Sequence, residues 1–320
     1  MRLRPVKAGT GRRSVPKHLI RLARWGVALV ILGFVGRSIA ANWAQLRSQP
    51  VAWTIHPLPL IGSLLVVWLM YANLIEAWRV VLEGWGERLS RLEAARIWTI
   101  SSLGKYLPGK VWAIAGMALM SREAGVAAWA ATASAVILQA LAVGTGVLAA
   151  FAGGAGPLEA ARPGLATAFR VGAVVVAASM ALLAYPPVMR RILVAAGLPV
   201  STATPAVGVV VRATVANLVA WLGYGLAFWL LARAIVPQAA LSPRLAIAAF
   251  AASYVAGLIA LFAPGGLIVR EGVLVALLQG TTGIGVAALL AVASRIALTV
   301  TEVGAAAPFL LIRVEKPSDR

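Results

Sequence analysis

The sequence has no cysteine, one aspartate (Asp319) and two histidines, and each shortage excludes a class of chemistry. Without cysteine there can be no disulfide, no thiolate metal site and no thioester intermediate. A single aspartate excludes metal sites that are built from paired aspartates. His18 and His56 flank different apolar runs, so they cannot form the two-histidine zinc motif of a metalloprotease helix. We therefore expect no metal site and no cofactor; most hydrolytic and metal-dependent enzyme classes are excluded, and no catalytic motif is recognised.

Charge is also scarce: 12% of the 320 residues are charged and 61% are hydrophobic. Soluble domains average about 25% charged and about 45–50% apolar residues. Apolar runs of about 20 residues, long enough to cross a bilayer core of about 30 Å, recur along the chain. The sequence predicts an all-α polytopic membrane protein with about seven or eight transmembrane helices, one or two of them broken by Pro-Gly or re-entrant. The predicted spans are 25–41, 58–82, 127–151, 166–185, 207–232, 243–262 and 284–312.

The charges that remain are mainly basic, with a net charge of +19. They lie at the ends of apolar runs, which indicates control of topology and attraction to anionic lipids rather than nucleic-acid binding. Residues 1–24 carry eight Lys or Arg and no acid, which predicts a cytoplasmic basic tail before a retained signal anchor. Residues 25–313 are predicted to form a single transmembrane domain of a lipid-transport type, and residues 314–320 a polar tail.

Arginines in two loops favour a re-entrant segment. Loops 84–96 and 186–206 both look cytoplasmic, together with the N-terminus, in what we expect to be a bacterial inner membrane. Both loops can lie on that side only if residues 97–120 enter and leave the membrane at the same face. The side of the C-terminus is left open. Its basic residues favour the cytoplasmic side, whereas seven crossings would place them outside.

The stretch SSLGKYLPGKVW, residues 101–112, comes close to a phosphate-binding loop. Val111 stands where that loop needs Ser or Thr, and a segment between membrane helices cannot supply the preceding strand. Pro108 and Gly109 instead break a helix, which is tolerated at membrane depth only inside protein or beside a wet cavity. Lys105 and Lys110 flank the break. Their side chains either line such a cavity or extend to the membrane surface.

A second stretch, FAPGGLIVREG at residues 262–272, repeats the pattern of an aromatic residue, any residue, proline and glycine. Its break consists of Pro264, Gly265 and Gly266, and Arg270 and Glu271 follow in apolar surroundings. Paired Gly/Pro-interrupted segments in the two halves of a transporter indicate its binding site.

Other charges lie within predicted spans. Glu76 and Arg79 are three residues apart and can pair, whereas Arg295 and Glu302 lie two turns apart on one helix face. A charge near the bilayer centre costs at least about 2.5–3.5 kcal/mol, so such residues normally face a polar interior. Cations slightly outnumber acids, which favours an anionic guest such as a phosphate headgroup. Gln139, a further polar residue within a span, is explained by hydrogen bonding between helices.

Three motifs in this order, SLGKYLPGKVW, APGGLIVREGVLVALL and SRIALTVTE, resemble the lysylphosphatidylglycerol synthase transmembrane-region family. Its stand-alone members resemble the flippase part of the multiple peptide resistance factor. The resemblance implies an inner-membrane protein that handles lipids with anionic or aminoacylated headgroups, related members being tied to polyprenyl-phosphate glycan export. The soluble aminoacyl-transferase domain of two-part members is not found in this sequence, so we expect no such enzyme activity. The family's site residues fall on Tyr106, Pro108, Gly109, Lys110, Pro264, Gly266, Arg270, Glu271, Ser294, Arg295 and Glu302.

Three functions remain open. The first is a flippase or scramblase for an anionic, phosphate-containing lipid. The second is an accessory subunit of envelope lipid or glycan assembly, which could bind a biosynthetic partner or a second copy of the chain. The third is a membrane glycosyl or phosphoryl transferase, for which Glu159 and Glu271 are the candidate carboxylates. The predicted headgroup site comprises Lys105, Tyr106, Lys110, Arg270, Glu271, Arg295 and Glu302, with Glu76 and Arg79 as a secondary polar pair.

Overall fold

The computed structural model describes residues 53–107, 111–161, 185–195, 205–260 and 264–311, together with Arg37 and a few single positions between 167 and 182. All regular elements in these ranges are helical, so the predicted all-α class is confirmed. The nine helices of these ranges are α1 Pro57–Glu83, α2 Arg91–Ser102, α3 Val111–Glu123, α4 Ala128–Ala161, α5 Pro186–Ala195, α6 Val207–Ile235, α7 Pro243–Ile259, α8 Val269–Thr282 and α9 Ile284–Leu311, with 3₁₀ turns at Leu103–Tyr106 and Pro264–Gly266.

Several predicted segments lie outside the described residues. These are both tails, the first span at 25–41 and most of the span at 166–185. Pro108, Gly109 and Lys110 also lie outside them.

Local sequence signals set the starts of three helices. Proline occupies the first position of α1 and of α7, where its missing amide hydrogen costs nothing. Ser90 and Glu93 form a capping box at the start of α2, each side chain bonding the other residue's backbone amide. The capping box fixes the residue at which the helix after α1 begins.

Four helices are long and apolar enough to cross a membrane: α1, α4 up to Gly153, α6 and α9. The protein is therefore a multi-pass membrane protein. We name its two faces after the ends of α1. At the Pro57 face, the His56 amide donates to the Ala234 carbonyl at the end of α6, 2.9 Å away. At the Glu83 face, the rings of Trp85 and Trp129 lie 5.9 Å apart and bring the start of α4 beside the end of α1.

Helices α1 and α6 pack antiparallel along their length. Near the middle, Asn73 Nδ2 donates to the Ala216 carbonyl at 2.8 Å, and Ser63 Oγ donates to the Ala227 carbonyl at 2.7 Å. Interhelical bonds of this kind hold polar side chains within spans. Gln139, for which the same role was predicted, is exposed on α4.

Residues 91–123 form hairpin 1, in which α2 and α3 run antiparallel and both arms end at the Glu83 face. The position that a Cβ would take at Gly104 lies 2.7 Å from the Ala113 amide nitrogen, so only glycine allows the arms to meet so closely at the tip. Farther down, Gly116 faces Ser101. The antiparallel arms are the arrangement expected of the re-entrant segment predicted at residues 97–120.

Residues 243–282 form hairpin 2, whose arms α7 and α8 end at the Pro57 face. Gly257 lies against Gly266, with 3.3 Å between the former's Cβ position and the latter's Cα atom. Residues 243–259 are thus one arm of a hairpin, which differs from the single span predicted at 243–262. Helix α7 has 17 residues, about 25 Å, and the chain turns back after it. Because α9 then starts at the Pro57 face, it ends at the Glu83 face.

Candidate functional site

The tips of the two hairpins meet beside the middle third of α9. The Cβ position of Gly265 lies 3.9 Å from Tyr106 Cδ1 and 3.7 Å from Arg295 Nη2. Around this point lie six predicted site residues, which we call the central cluster: Lys105, Tyr106, Arg270, Glu271, Arg295 and Glu302. Hairpins that enter from opposite faces thus bring their polar residues to one place.

Glu302 of α9 binds the tip of hairpin 1. Its Oε1 atom lies 2.5 Å from Lys105 Nζ, and its Oε2 atom accepts from the Tyr106 hydroxyl at 2.7 Å. The Tyr106 hydroxyl also lies 3.2 Å from Thr299 Oγ1. The side chain of Glu302 is 6% exposed and that of Lys105 is 28% exposed. The Lys105–Glu302 pair therefore covers the central cluster on the side at which hairpin 1 enters.

Arg295 of α9 binds hairpin 2. Its Nη1 atom lies 2.6 Å from Glu271 Oε1, and the two side chains are 5% and 20% exposed. Two buried atoms of the pair, Arg295 Nε and Glu271 Oε2, have no hydrogen-bond partner among the described residues. Buried polar atoms in proteins are normally partnered, so this pair retains capacity to bind a further group.

Arg270 is 8% exposed and is held differently. Its Nη2 atom donates to Ser294 Oγ at 2.9 Å, and its guanidinium carbon lies 5.1 Å and 5.0 Å from the ring centres of Phe250 and Tyr254. Within the described ranges no carboxylate oxygen lies within 4 Å of it. Glu271, its neighbour in the sequence, pairs with Arg295. A buried arginine supported mainly by aromatic rings is prepared to bind an anion.

The backbone of hairpin 2 turns sharply beside the cluster. Gly265 and Gly266 have φ angles of 56° and 71°, which glycine adopts without strain. Ile268 also has a positive φ, 70°, and is 77% exposed. The predicted helix break at Pro264, Gly265 and Gly266 is therefore a 3₁₀ turn that places Arg270 and Glu271 at the start of α8.

The cluster as a whole carries excess positive charge, with three cations against two carboxylates. A net positive site in the middle of membrane-crossing helices suits an anionic ligand. Residues 21–304, which include both hairpins and the whole cluster, match the family described as Lysylphosphatidylglycerol synthase TM region. The chain belongs to this family. No curated protein matches the chain.

Three side chains around the cluster were missed by sequence reasoning in this member of the Lysylphosphatidylglycerol synthase TM region family. Phe250 and Tyr254 lie four residues apart on one face of α7, and this spacing was the signal that could have marked them. Thr299 lies between Arg295 and Glu302 on α9, where a threonine in an apolar helix carries no distinctive signal.

The predicted secondary pair of this family member lies outside the central cluster. Arg79 Nη1 lies 2.9 Å from both carboxylate oxygens of Glu76, and Arg79 Nε donates to the Leu89 carbonyl at 2.9 Å. Arg91 Nε lies 3.5 Å from Glu76. These contacts tie the end of α1 to the start of hairpin 1 at the Glu83 face. Their position indicates a structural pair.

Proposed function

We propose that this protein moves a lipid with an anionic, phosphate-containing headgroup across the membrane, as a flippase or scramblase. The headgroup binds in the central cluster while the lipid tails remain in the bilayer. The observation that carries the proposal is Arg270, a buried arginine with no carboxylate partner among the described residues. It lies in a cluster with net positive charge at the meeting point of two re-entrant hairpins.

Phosphate is the anion that this arrangement fits best. A guanidinium group offers parallel N–H donors that can bind two phosphate oxygens at once. Arg270 supplies such donors, and so does the Nε atom of Arg295, which has no hydrogen-bond partner among the described residues. Phospholipids, aminoacylated lipids and polyprenyl phosphates all carry this group, so the shared chemistry is the phosphate and the experiment separates the sources.

The cluster supports transport rather than catalysis. Glu271 and Glu302 each accept a hydrogen bond from a cation at 2.6 Å or less, which suits charge compensation in an empty site.

The proposal is tested by headgroup-resolved flipping in proteoliposomes. We expect phosphatidylglycerol or a polyprenyl phosphate to cross several times faster than in protein-free liposomes. An aminoacylated phosphatidylglycerol is the third arm, and a neutral glycolipid without phosphate is the control and should not respond. Equal rates for all four lipids with and without protein would refute transport and favour the accessory-subunit function.

We further propose that the Glu83 face is cytoplasmic in a bacterial inner membrane. Cations in short loops and at helix ends concentrate on the cytoplasmic side. The described arginines near the Glu83 face include Arg79, Arg88, Arg91, Arg96, Arg122 and Arg212, whereas Arg233 and Arg244 lie near the Pro57 face.

Cysteine labelling checks this orientation, because the chain has no cysteine of its own. Arg91→Cys and Arg190→Cys should react with a membrane-impermeant thiol reagent only from the cytoplasm. Gln238→Cys, in the turn between α6 and α7, should react only from outside. Reaction of positions 91 and 238 from the same side would contradict the two-face arrangement.

A further inference from the structure

The two halves of the chain share a sequence pattern at a constant spacing. A shift of 156 residues places the first half on the second at several residues of the two Pro-Gly motifs and of the segments that follow them. The matched pairs are Tyr106 with Phe262, Pro108 with Pro264, Gly109 with Gly265, Gly116 with Gly272, and Thr145 with Thr301. Thr145 and Thr301 are both fully buried, and each donates to the carbonyl four residues earlier.

The structure gives these halves opposite orientations. One half is α1, hairpin 1 and α4, and the other is α6, hairpin 2 and α9. Hairpin 1 opens at the Glu83 face and hairpin 2 at the Pro57 face. Each hairpin lies between the same two long helices: α2 packs on α9 and α3 on α4, whereas α7 packs on α4 and α8 on α9. This is the inverted repeat on which many transporters are built.

The charges do not follow the repeat. With the same shift, Arg295 corresponds to Gln139, Glu302 to Gly146 and Glu271 to Ala115. Lys105 of hairpin 1 corresponds to Leu261. The charged residues at these corresponding positions of the two long helices are therefore on α9 and not on α4. Each hairpin is bound to α9 by one ion pair.

The bases of the hairpins contain glycines suited to rotation. Gly125 joins hairpin 1 to α4 with φ of 85°, and Gly283 joins hairpin 2 to α9 with φ of 82°. Apart from its two chain neighbours, no described residue has an atom within 4 Å of either Cβ position. Residues at element ends that absorb changes in backbone angle act as hinges. Each hairpin thus has a hinge at its membrane face and an ion pair at its inner end.

We propose that the two ion pairs are opposing gates of one site. Lys105–Glu302 closes the site toward the Glu83 face, and Glu271–Arg295 closes it toward the Pro57 face. The inference rests on the proposed function, since it assigns the access routes of the same site. Release of Glu302 frees the inner end of hairpin 1, and the space between α2 and α9 then opens to the face at which hairpin 1 enters. Release of Glu271 frees α8 in the same way toward the opposite face.

In the present structure both gates are closed. Ser294, which bonds Arg270 inside the cluster, is 2% exposed. A cysteine at this position would be unreactive in the closed state and would report the face from which the site opens.

The experiment uses Ser294→Cys in the full chain, with an impermeant thiol reagent added from either side of oriented vesicles. Glu302→Gln should raise the labelling rate at least tenfold from the Glu83 face alone, and Glu271→Gln should do so from the Pro57 face alone. Lys105→Met is a second variant of the first gate and should act like Glu302→Gln. Glu76→Gln removes an ion pair outside the cluster and should leave the labelling unchanged.

Labelling from the same face in both gate variants, or no increase in either, would overturn the proposal. The readout needs no lipid movement, so it is independent of the proposed function. Opposite-face labelling without transport of any tested lipid would keep the gates and refute the lipid assignment.

Discussion

Arg270→Met should reduce lipid movement at least tenfold while the free energy of unfolding stays within about 1 kcal/mol of the wild-type value. Burying an arginine costs several kcal/mol in lost hydration. That cost is offset here by two aromatic rings and one hydroxyl, each a contact of about 1–3 kcal/mol. Methionine fills a similar volume, keeps contact with the rings and needs no compensation. Removing the charge should therefore cost binding and leave stability nearly unchanged.

Two variants sharpen this result. Arg270→Lys retains the charge but lacks the planar fork, so it should also lose most of the transport. Arg233→Met, at an exposed arginine near the end of α6, is the matched control and should retain full transport. Transport is measured in proteoliposomes and stability by thermal unfolding in detergent. Full transport by Arg270→Met, or unfolding that accounts for its loss, would exclude Arg270 as the phosphate ligand.

Arg295→Met should lower the free energy of unfolding by about 3 kcal/mol, because it leaves Glu271 charged and without its partner. This value is at the lower end for buried pairs, since the Glu271 side chain is 20% exposed. The double variant Arg295→Met/Glu271→Gln should recover more than half of the loss, because a neutral amide needs no cation. The two arginines of the cluster thus differ. Arg295 compensates the charge of a buried carboxylate, that of Glu271, whereas Arg270 has no carboxylate partner among the described residues.

A double-mutant cycle measured by thermal unfolding tests the coupling between Arg295 and Glu271. Arg91→Met is the control, since Arg91 pairs with Glu76 at the surface with its side chain 83% exposed. Exposed pairs contribute at most about 1 kcal/mol, so this variant should be nearly neutral. Equal losses for positions 295 and 91 would show that the buried pair does not hold hairpin 2.

The sequence located the charged residues but did not pair them. Arg295 and Glu302 share a face of α9, and helix periodicity alone predicts this. Each binds a different hairpin, which depends on how the hairpins approach α9 from opposite faces. Glu271 directly follows Arg270 in the sequence, yet it pairs with Arg295 of α9. Adjacent residues on a helix point in different directions, and the tertiary partner was the deciding factor.

The fold class and the first hairpin could be predicted, whereas the second hairpin could not. Residues 243–262 are apolar, and hydropathy does not distinguish a crossing helix from a buried arm of similar length. The turn depends on the close contact of Gly257 with Gly266, which is a property of packing. For hairpin 1, the arginines of loop 84–96 supplied an independent constraint through the positive-inside rule.

The pairing of α1 with α6 has a consequence for biosynthesis. Asn73 is hydrogen-bonded to Ala216, a residue 143 positions later, and Trp68 to Thr301, a residue 233 positions later. Ribosomes add about 5–20 residues per second, so roughly 7 to 29 s pass before the partner of Asn73 is made. During that time α1 is already made, but the carbonyl groups that Asn73 and Trp68 bind in the finished fold are not. The final packing of α1 therefore follows the synthesis of α6 and α9 in the second half of the chain.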